Sequence, residues 1–327
     1  MMKILCVPNF SEGRDSSKIQ LISKSIESIS GVKLLHIDSG ADANRTVITF
    51  VGTPEAVCNA AFEMIKTASE IIDMQVHRGK HPRIGSTDVC PLIPLQNISM
   101  EKTVEYARKL AERVGNELDI PVYCYENAAS VPERRNLAFC RKGEYESLKQ
   151  KLVEQKPDFG PDIFTPKIAK TGATIIGARD FLIAVNFNLN TKSKDTASLI
   201  AAGIREKSKI SDGAKLKGIK AIGWYIADFG IAQVSVNITD IHATPLHRVF
   251  EETRKRSKQL GVDVTGTEII GLVPEKVLLD AGRYFLSQTE NGNPENVSDS
   301  ILLKTAIEKL GLNDLSPFMS DKKLLKI

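Results

Sequence analysis

Residues 219–239, IKAIGWYIADFGIAQVSVNIT, hold two apolar, strand-forming runs on either side of Asp228-Phe229-Gly230. Short β-forming runs joined by a Gly-containing link predict a hairpin. Upstream, FLIAVNFNL at 181–189 reads as a buried strand and residues 194–208 as a helix. Downstream, a helix runs through 245–260, EIIGLVP is a further strand, and Pro274 opens another helix, where the missing proline N–H costs nothing. The order is β-α-β-β-α-β, the ferredoxin-like arrangement in which two helices cover one face of a mixed sheet.

The first half repeats it. KILCVP at 3–8 is a strand stopped by Pro8, and Asp15-Ser16-Ser17 caps a helix whose Ile19, Ile22, Ile26 and Ile29 recur at helical spacing. KLLHID and TVITFVG are strands separated by the turn-rich SGADANR. Pro54 opens a long helix with Val57, Ala60, Ala61, Met64, Ile65 and Ala68 on its apolar face. A polar stretch at 77–88 interrupts the pattern, a helix follows at 99–117, and PVYCYE at 121–126 is a strand. The expected class is α/β (α+β), with two subdomains joined near residues 157–180 and open sheet faces that pack together or line a cleft.

Composition narrows the function classes. The 327 residues are 42% hydrophobic and 26% charged, ordinary for a globular protein and unlike a disordered, collagenous or disulfide-stapled chain. No stretch reaches the roughly 18 apolar residues of a membrane span. MMKILCVPNFSEG has too few apolar residues before Pro8 for a secretory core of about 7 to 15, so a cytoplasmic location is expected. A net charge of +4 is too weak a bias to indicate nucleic acid, and RKRSK at 254–258 lacks alternating aromatics. The five cysteines (Cys6, Cys58, Cys90, Cys124, Cys140) are scattered, odd in number and without a CxxC pair, which fits reduced thiols rather than disulfides or zinc.

The densest chemistry lies at 77–88, HRGKHPRIGSTD. Histidine has an unperturbed pKa of about 6.5 and suits proton transfer near neutrality. The loop glycines allow close backbone approach. Arg78, Lys80 and Arg83 suit a carboxylate. His77 and His81, four apart and followed by Asp88, raise a metal reading, but ligation at that spacing needs a helix, and Gly79 and Pro82 oppose one. VPNFSEG at 7–13 sets polar residues, Asn9 among them, just after a strand, and DSGADANRT puts Asp38 at a strand end and Arg45 at the next strand's start. His242 and His247 read as residues that cap and cover a helix. The 157–180 stretch, with three Gly and three Pro, is either a plain linker or a loop lining a site, its embedded apolar and aromatic residues favouring the second.

Together these segments resemble the formiminotransferase family: CVPNFSEG at 6–13, NRTVITFVG at 44–52, HRGKHPRIGSTDVCP at 77–91, PVYCYENAA at 121–129, PDFGP at 157–161, TGATIIGARDFLIAVN at 171–186, GIKAIGWY at 218–225, IAQVSVN at 231–237 and GLVP at 271–274. The resemblance is collinear over about residues 3–286 and is to the transferase half of formimidoyltransferase-cyclodeaminase and its stand-alone bacterial and archaeal relatives; the chain ends where a cyclodeaminase half would begin. It implies formimidoyl transfer from N-formimidoyl-L-glutamate to N5 of tetrahydrofolate in histidine breakdown, by two α/β subdomains (1–178 and 179–290) facing each other across a ligand tunnel, within a homodimer. Residues 291–327 form an extension of open role. The family's catalytic histidine falls on His81, and its folate-contacting segment on Gly160 to Gly172, where this chain carries about three extra residues around DIFTPKIAK. Gly177 follows in the same stretch, and Glu268 stands where vertebrate relatives have Gln.

The chemistry suits these residues. One imidazole can take the N5 proton and return it to the leaving glutamate nitrogen. Asp38 is the candidate for orienting His81 or stabilising its protonated form. Arg45, Arg78 and Arg83 are the candidate clamps for the carboxylates of both substrates. Tetrahydrofolate enters as co-substrate, with no metal needed. Two alternatives stay open: formyl transfer from N-formylglutamate on the same fold, and folate binding without turnover.

Overall fold

Pro8 splits the first strand into β1 (Lys3–Cys6) and β2 (Asn9–Phe10), because a residue without an N–H does not continue a ladder. The computed structural model describes residues 1–210, 213–289, 295 and 297–326, which divide into two compact units, Met1–Asp180 and Phe181–Ile327. The boundary expected at 290 and 291 lies outside the described residues.

In the first unit, the Asp15 carboxylate accepts from the N–H groups of Ser17 and Lys18 and caps α1 (Ser16–Glu27). β3 (Val32–Gly40) and β4 (Arg45–Gly52) follow, then α2 (Pro54–Ile71), started by a Thr53 cap with Pro54 in its first turn. Next come β5 (Thr87–Gln96), α3 (Met100–Leu118), β6 (Val122–Glu126), the short helices α4 (Leu137–Cys140), α5 (Leu148–Glu154) and α6 (Pro166–Thr171), and β7 (Thr174–Ala178). The described strands make one seven-stranded sheet in which β3 pairs β4, β1 and β2 lie end to end between β4 and β5, and β7 sits between β5 and β6. The pairings of β7 with β5 and β6 are parallel, and the others are antiparallel.

β1, α1, β3, β4, α2 and β5 give the βαββαβ order, and α3, β6 and β7 extend it by two parallel strands. β5 is a strand that sequence reading passed over, because Pro91 and Pro94 interrupt its apolar run. Pro91 falls opposite the break between β1 and β2. Its carbonyl accepts from Val7 N at 3.2 Å there, and the broken partner strand makes no demand on its missing N–H. Likewise, the stretch expected as a joint, 157–180, contains α6 and β7.

α1, α2 and α3 cover one face, with Ile22, Ile26, Ala61, Ile65, Leu110 and Val114 packed against Ile4, Cys6, Ile48, Phe50, Cys90 and Leu92. The opposite face is covered at its β6–β7 end, where Cys140, Leu148, Leu152 and Ile168 of α4, α5 and α6 bury Tyr123, Tyr125 and Ile175. Directly paired residues share a face, and successive ones alternate. Since Ile48 and Phe50 face the helices, Arg45, Val47 and Thr49 face the other way, together with their partners Asn9, His36 and Asp38. The polar candidates of the first unit thus gather on one side of one sheet.

The second unit repeats the order with β8 (Ile183–Leu189), α7 (Lys194–Ile204), β9 (Ile219–Ile226), β10 (Ile231–Ile238), α8 (Leu246–Gln259) and β11 (Val264–Ile270). Its sheet is antiparallel, in the order β11-β8-β10-β9. Gly230 turns the hairpin at φ +66°, its N–H donating to Ala227 O at 3.1 Å. β12 (Val273–Pro274), α9 (Glu275–Ser287), α10 (Asp299–Leu310), α11 (Ser320–Lys323) and β13 (Leu324–Leu325) complete it. Ala306, Leu310 and Leu312 share a core with Val185 and Phe187, and β13 pairs in parallel with β12. No helix among the described residues is long and apolar enough to cross a membrane.

Candidate active site

One asparagine assembles the loop at 77–86. Asn44 precedes β4 at φ +48°, a left-handed conformation that Asn tolerates because its short polar side chain bonds locally. Its Oδ1 accepts from Gly13 N at 3.0 Å, its Nδ2 donates to Arg78 O at 2.9 Å, and its carbonyl accepts from His77 Nε2 at 2.9 Å. Two segments distant in sequence, at Gly13 and at His77–Arg78, meet on that residue. The loop is further tied by Lys80, whose N donates to Asp42 O at 3.2 Å and whose Nζ donates to Asp42 Oδ2 at 3.1 Å.

His81 is presented beside the polar face of the sheet. Its Nδ1 lies 2.7 Å from Pro82 O, which only accepts, so Nδ1 carries the proton. Its Nε2 lies 2.9 Å from Arg45 Nη1, which only donates, so Nε2 carries the lone pair. Arg45 Nη1 also donates to Asn9 Oδ1 at 2.6 Å. His77 takes the opposite tautomer, donating from Nε2 to Asn44 O and accepting at Nδ1 from Arg83 Nε at 3.3 Å. Desolvation first, then the charges of Arg45 and Arg141, hold the His81 pKa well below 6.5, against the opposing pull of its bond to Pro82 O. Arg45 itself is lowered to about 10 by burial and by Arg141, with Asp88 and Asp38 opposing.

Behind this pair stands a buried ion pair. Asp88, fully buried, receives Arg141 in a two-pronged grip, Nη2 to Oδ2 at 2.5 Å and Nε to Oδ1 at 3.2 Å, and its Oδ1 also accepts from Ile84 N at 3.1 Å. Asp88 therefore closes the turn that follows His81 and ties it to the chain beyond α4.

The structure thus brings Asn9, Arg45 and His81 into direct contact. Asp38 lies on the same face, its Oδ2 3.6 Å from His36 Nε2, and its charge acts on Arg45. Arg78 donates from Nη1 to Gln75 O and His77 O. Arg83 is buried and engaged on every nitrogen, with Nε on His77, Nη1 on Glu144 and Glu146, and Nη2 on Glu146 at 2.6 Å. Arg78, Gly79, Arg83, Gly143, Glu144 and Glu146 line a cavity of about 410 Å³. Glu268 belongs to the second unit, where its Oε2 accepts from Asn186 Nδ2 at 3.0 Å and Gln233 Nε2 at 3.3 Å. His242 donates its backbone N–H to Asp240 ahead of α8, and His247 stacks on Tyr284.

Backbone occupies the space beside the candidate glycines. A Cβ at Gly160 would stand 2.3 Å from Ile120 O, and one at Gly177 2.3 Å from Tyr125 O. Gly172, at φ +69°, bridges Gly85, and its Cβ would stand 2.4 Å from both Ile84 O and Gly85 Cα. Around it, Ala173 N donates to Ile84 O and Ser86 N to Thr171 O, so residues 171–173 zip onto the turn after His81. Gly172→Ala is therefore expected to destabilise the protein by about 2 kcal/mol or more, from the left-handed conformation and the clash together. Urea unfolding checks this, and an unchanged midpoint would refute it.

Arg141, Asn44 and the structural role of Asp88 escaped sequence reading. Asn44 left a signal, an Asn at the end of a turn-rich stretch. Arg141 left none, because its partner is 53 residues away.

Comparison with known proteins agrees with this organisation. The formiminotransferase domain, N-terminal subdomain, matches residues 3–179, and the formiminotransferase domain matches residues 184–327, so the similarity continues beyond residue 286 to the last residues. Glutamate formimidoyltransferase of Thermoplasma acidophilum is 46% identical over 88% of this chain and 93% of its own. Glutamate formimidoyltransferase of Streptococcus pyogenes serotype M1 is 42% identical over 93% of this chain and 100% of its own. Formimidoyltransferase-cyclodeaminase of Mus musculus is 43% identical over 98% of this chain, which spans 59% of that relative's length. With both units matched in order, and with the histidine loop, the Asn9–Arg45 pair and the Gly172 bridge in place, the chain belongs to the formiminotransferase family.

Proposed function

We propose that the chain transfers the formimidoyl group of N-formimidoyl-L-glutamate to N5 of tetrahydrofolate, giving 5-formimidoyltetrahydrofolate and L-glutamate, as a step of histidine degradation. The observation that carries this reading is His81, held neutral near physiological pH with its lone pair fixed at Nε2, in a family whose stand-alone relatives are named for that transfer. N5 attacks the amidine carbon, and as the C–N5 bond forms its proton passes to Nε2. The imidazolium then returns that proton to the glutamate nitrogen, which leaves with the electron pair of the breaking C–N bond. Asp88 and Asp38, whose charges act on Arg45, are proposed to offset the cost of a third positive charge beside Arg45 and Arg141.

Asn9, Arg45, Arg78 and Arg83 are proposed to meet substrate carboxylates, Arg83 only by giving up part of its hold on Glu144 and Glu146. The segment from Gly160 to Gly172, with Gly177, and Glu268 are proposed as folate contacts, Asp38 as the residue that steadies protonated His81, and a cytoplasmic homodimer as the working form. The test incubates the protein with formimidoylglutamate and tetrahydrofolate, then reads ultraviolet absorbance of 5,10-methenyltetrahydrofolate after acid treatment. N-formylglutamate as sole productive donor would replace this reading with formyl transfer, and binding of tetrahydrofolate with neither donor consumed would make the chain a folate-binding protein.

The charges around His81 also fix a pH dependence. Arg45 of β4 and Arg141 beyond α4 disfavour its proton, with Asp88 of β5 and Asp38 of β3 nearby. Because the pKa is lowered below 6.5, the base stays active as the pH falls to that value. kcat/KM is expected to remain level down to pH 6.5 and to decline only below it, and a pH–rate profile with its acid limb above 6.5 would contradict the assigned environment.

A further inference from the structure

The lone pair that His81 needs for catalysis is already occupied. Arg45 Nη1 donates to Nε2 at 2.9 Å, while Nδ1 is committed to Pro82 O at 2.7 Å, so neither ring nitrogen is open to a substrate proton. Arg45 holds this position through one nitrogen only. Nη1 serves both His81 and Asn9, and among the described residues no hydrogen bond leaves its Nε or Nη2. A planar guanidinium with one edge uncommitted is the partner a carboxylate grips with two parallel bonds.

We propose that Arg45 caps the catalytic base at rest, and that a carboxylate of the donor draws the guanidinium off Nε2 and so uncovers the base in the complex that needs it. This rests on the formimidoyl-transfer reading and adds that the donor's carboxylate acts on turnover, beyond its part in affinity. A ligand shifts such an equilibrium only by its differential affinity for the two arrangements, and the new Arg45–carboxylate pair supplies that difference. Release breaks the Nη1–H···Nε2 bond and moves no proton. Asn9, which stays beside Nη1, is a positioning residue that limits how far Arg45 swings.

The test separates the donor into two pieces. Formamidine carries the reacting amidine without carboxylates: N5 bonds to its carbon, the C–NH2 bond breaks, and the N5 proton, passed through His81, leaves with ammonia. Glutarate supplies the carboxylates alone. With the full chain and tetrahydrofolate, glutarate is expected to raise kcat/KM for formamidine about 10-fold or more, the scale of one charge-assisted hydrogen bond exchanged. Arg45→Met should transfer from formamidine without any response to glutarate. Inhibition only, or no effect of glutarate on the wild type, overturns the proposal.

If formamidine proves unreactive, the decision falls to the nitrogen-15 resonance of His81 Nε2 in histidine-labelled protein. Glutarate must move it toward its unbonded position, and an unmoved resonance overturns the proposal equally. A third readout separates base uncovering from simple clamping: the acid limb of kcat with formimidoylglutamate should lie at higher pH than that of kcat/KM, because the complex no longer holds a guanidinium against the ring. Failure of the function reading looks different. There the wild type consumes no formimidoylglutamate at all, while the resonance still reports whether carboxylate releases Arg45.

Discussion

His81→Ala is expected to lower turnover by about 10²-fold or more while tetrahydrofolate still binds, because general acid–base catalysis contributes roughly that factor and the imidazole is the group proposed to shuttle the proton. The two ring nitrogens give the prediction its sharpness. Only Nε2 has a lone pair, and it faces the polar side of the first unit's sheet together with Arg45 and Asn9. Removing the ring also takes an acceptor from Arg45, so a change in donor KM accompanies the loss of kcat. Steady-state rates with formimidoylglutamate, beside a direct titration with tetrahydrofolate, separate the two effects. Turnover equal to wild type would sink the assignment of His81 as the base.

Asp88→Ala carries the largest expected effect on stability. Removing one partner of a buried ion pair leaves the other charge uncompensated and costs roughly 3–5 kcal/mol. Here Arg141 would lose both prongs of its grip, and Ile84 N would lose its acceptor. Denaturant unfolding of Asp88→Ala, Arg141→Met and the double variant forms a cycle that isolates the pair. The double variant should recover much of the loss, since an apolar pair can replace a buried ion pair at little cost. A cost below about 1 kcal/mol for Asp88→Ala would place this pair among those that add nothing measurable.

The parts legible in the sequence were those whose cause is local. The hairpin at 219–239 announces itself by strand-forming runs around Gly230, and α2 by Thr53, Pro54 and the spacing of Val57, Ala61, Met64 and Ile65. The histidine loop stood out because basic, glycine and histidine residues crowd into one short stretch, and the family resemblance then singled out His81. What was hidden depends on partners far along the chain. β5 hides behind two prolines: the break at Val7–Pro8 lies opposite Pro91, and Pro94 stands beside the register shift in the pairing with β1. α4, α5 and α6 are too short to show periodicity, and they hold because Tyr123 and Tyr125 offer them an apolar floor. Arg141 reads as an ordinary surface arginine until Asp88 is placed under it. Arg83 reads as a free clamp until Glu144 and Glu146 are seen on it.

The position of β7 dictates an order of assembly during synthesis. β5 and β6 leave the ribosome first, yet they never pair with each other; the strand that joins them, Thr174–Ala178, is made 48 residues after β6 ends. Until it emerges, the growing sheet has a gap one strand wide, about 4.8 Å in the pairing direction, and the backbone zipper from 171–173 to the turn after His81 has only one side. The loop that carries His81 can meet Asn44 and Asp42 early, but its anchor on residues 171–173 comes late, and contacts of such long separation are the slow ones to form. The helix-covered face waits as well: Ile176 and Ala178 of β7 belong to the core that α1, α2 and α3 cover, and Ile175 to the core on the opposite face, so one five-residue strand completes both faces of the first unit at once.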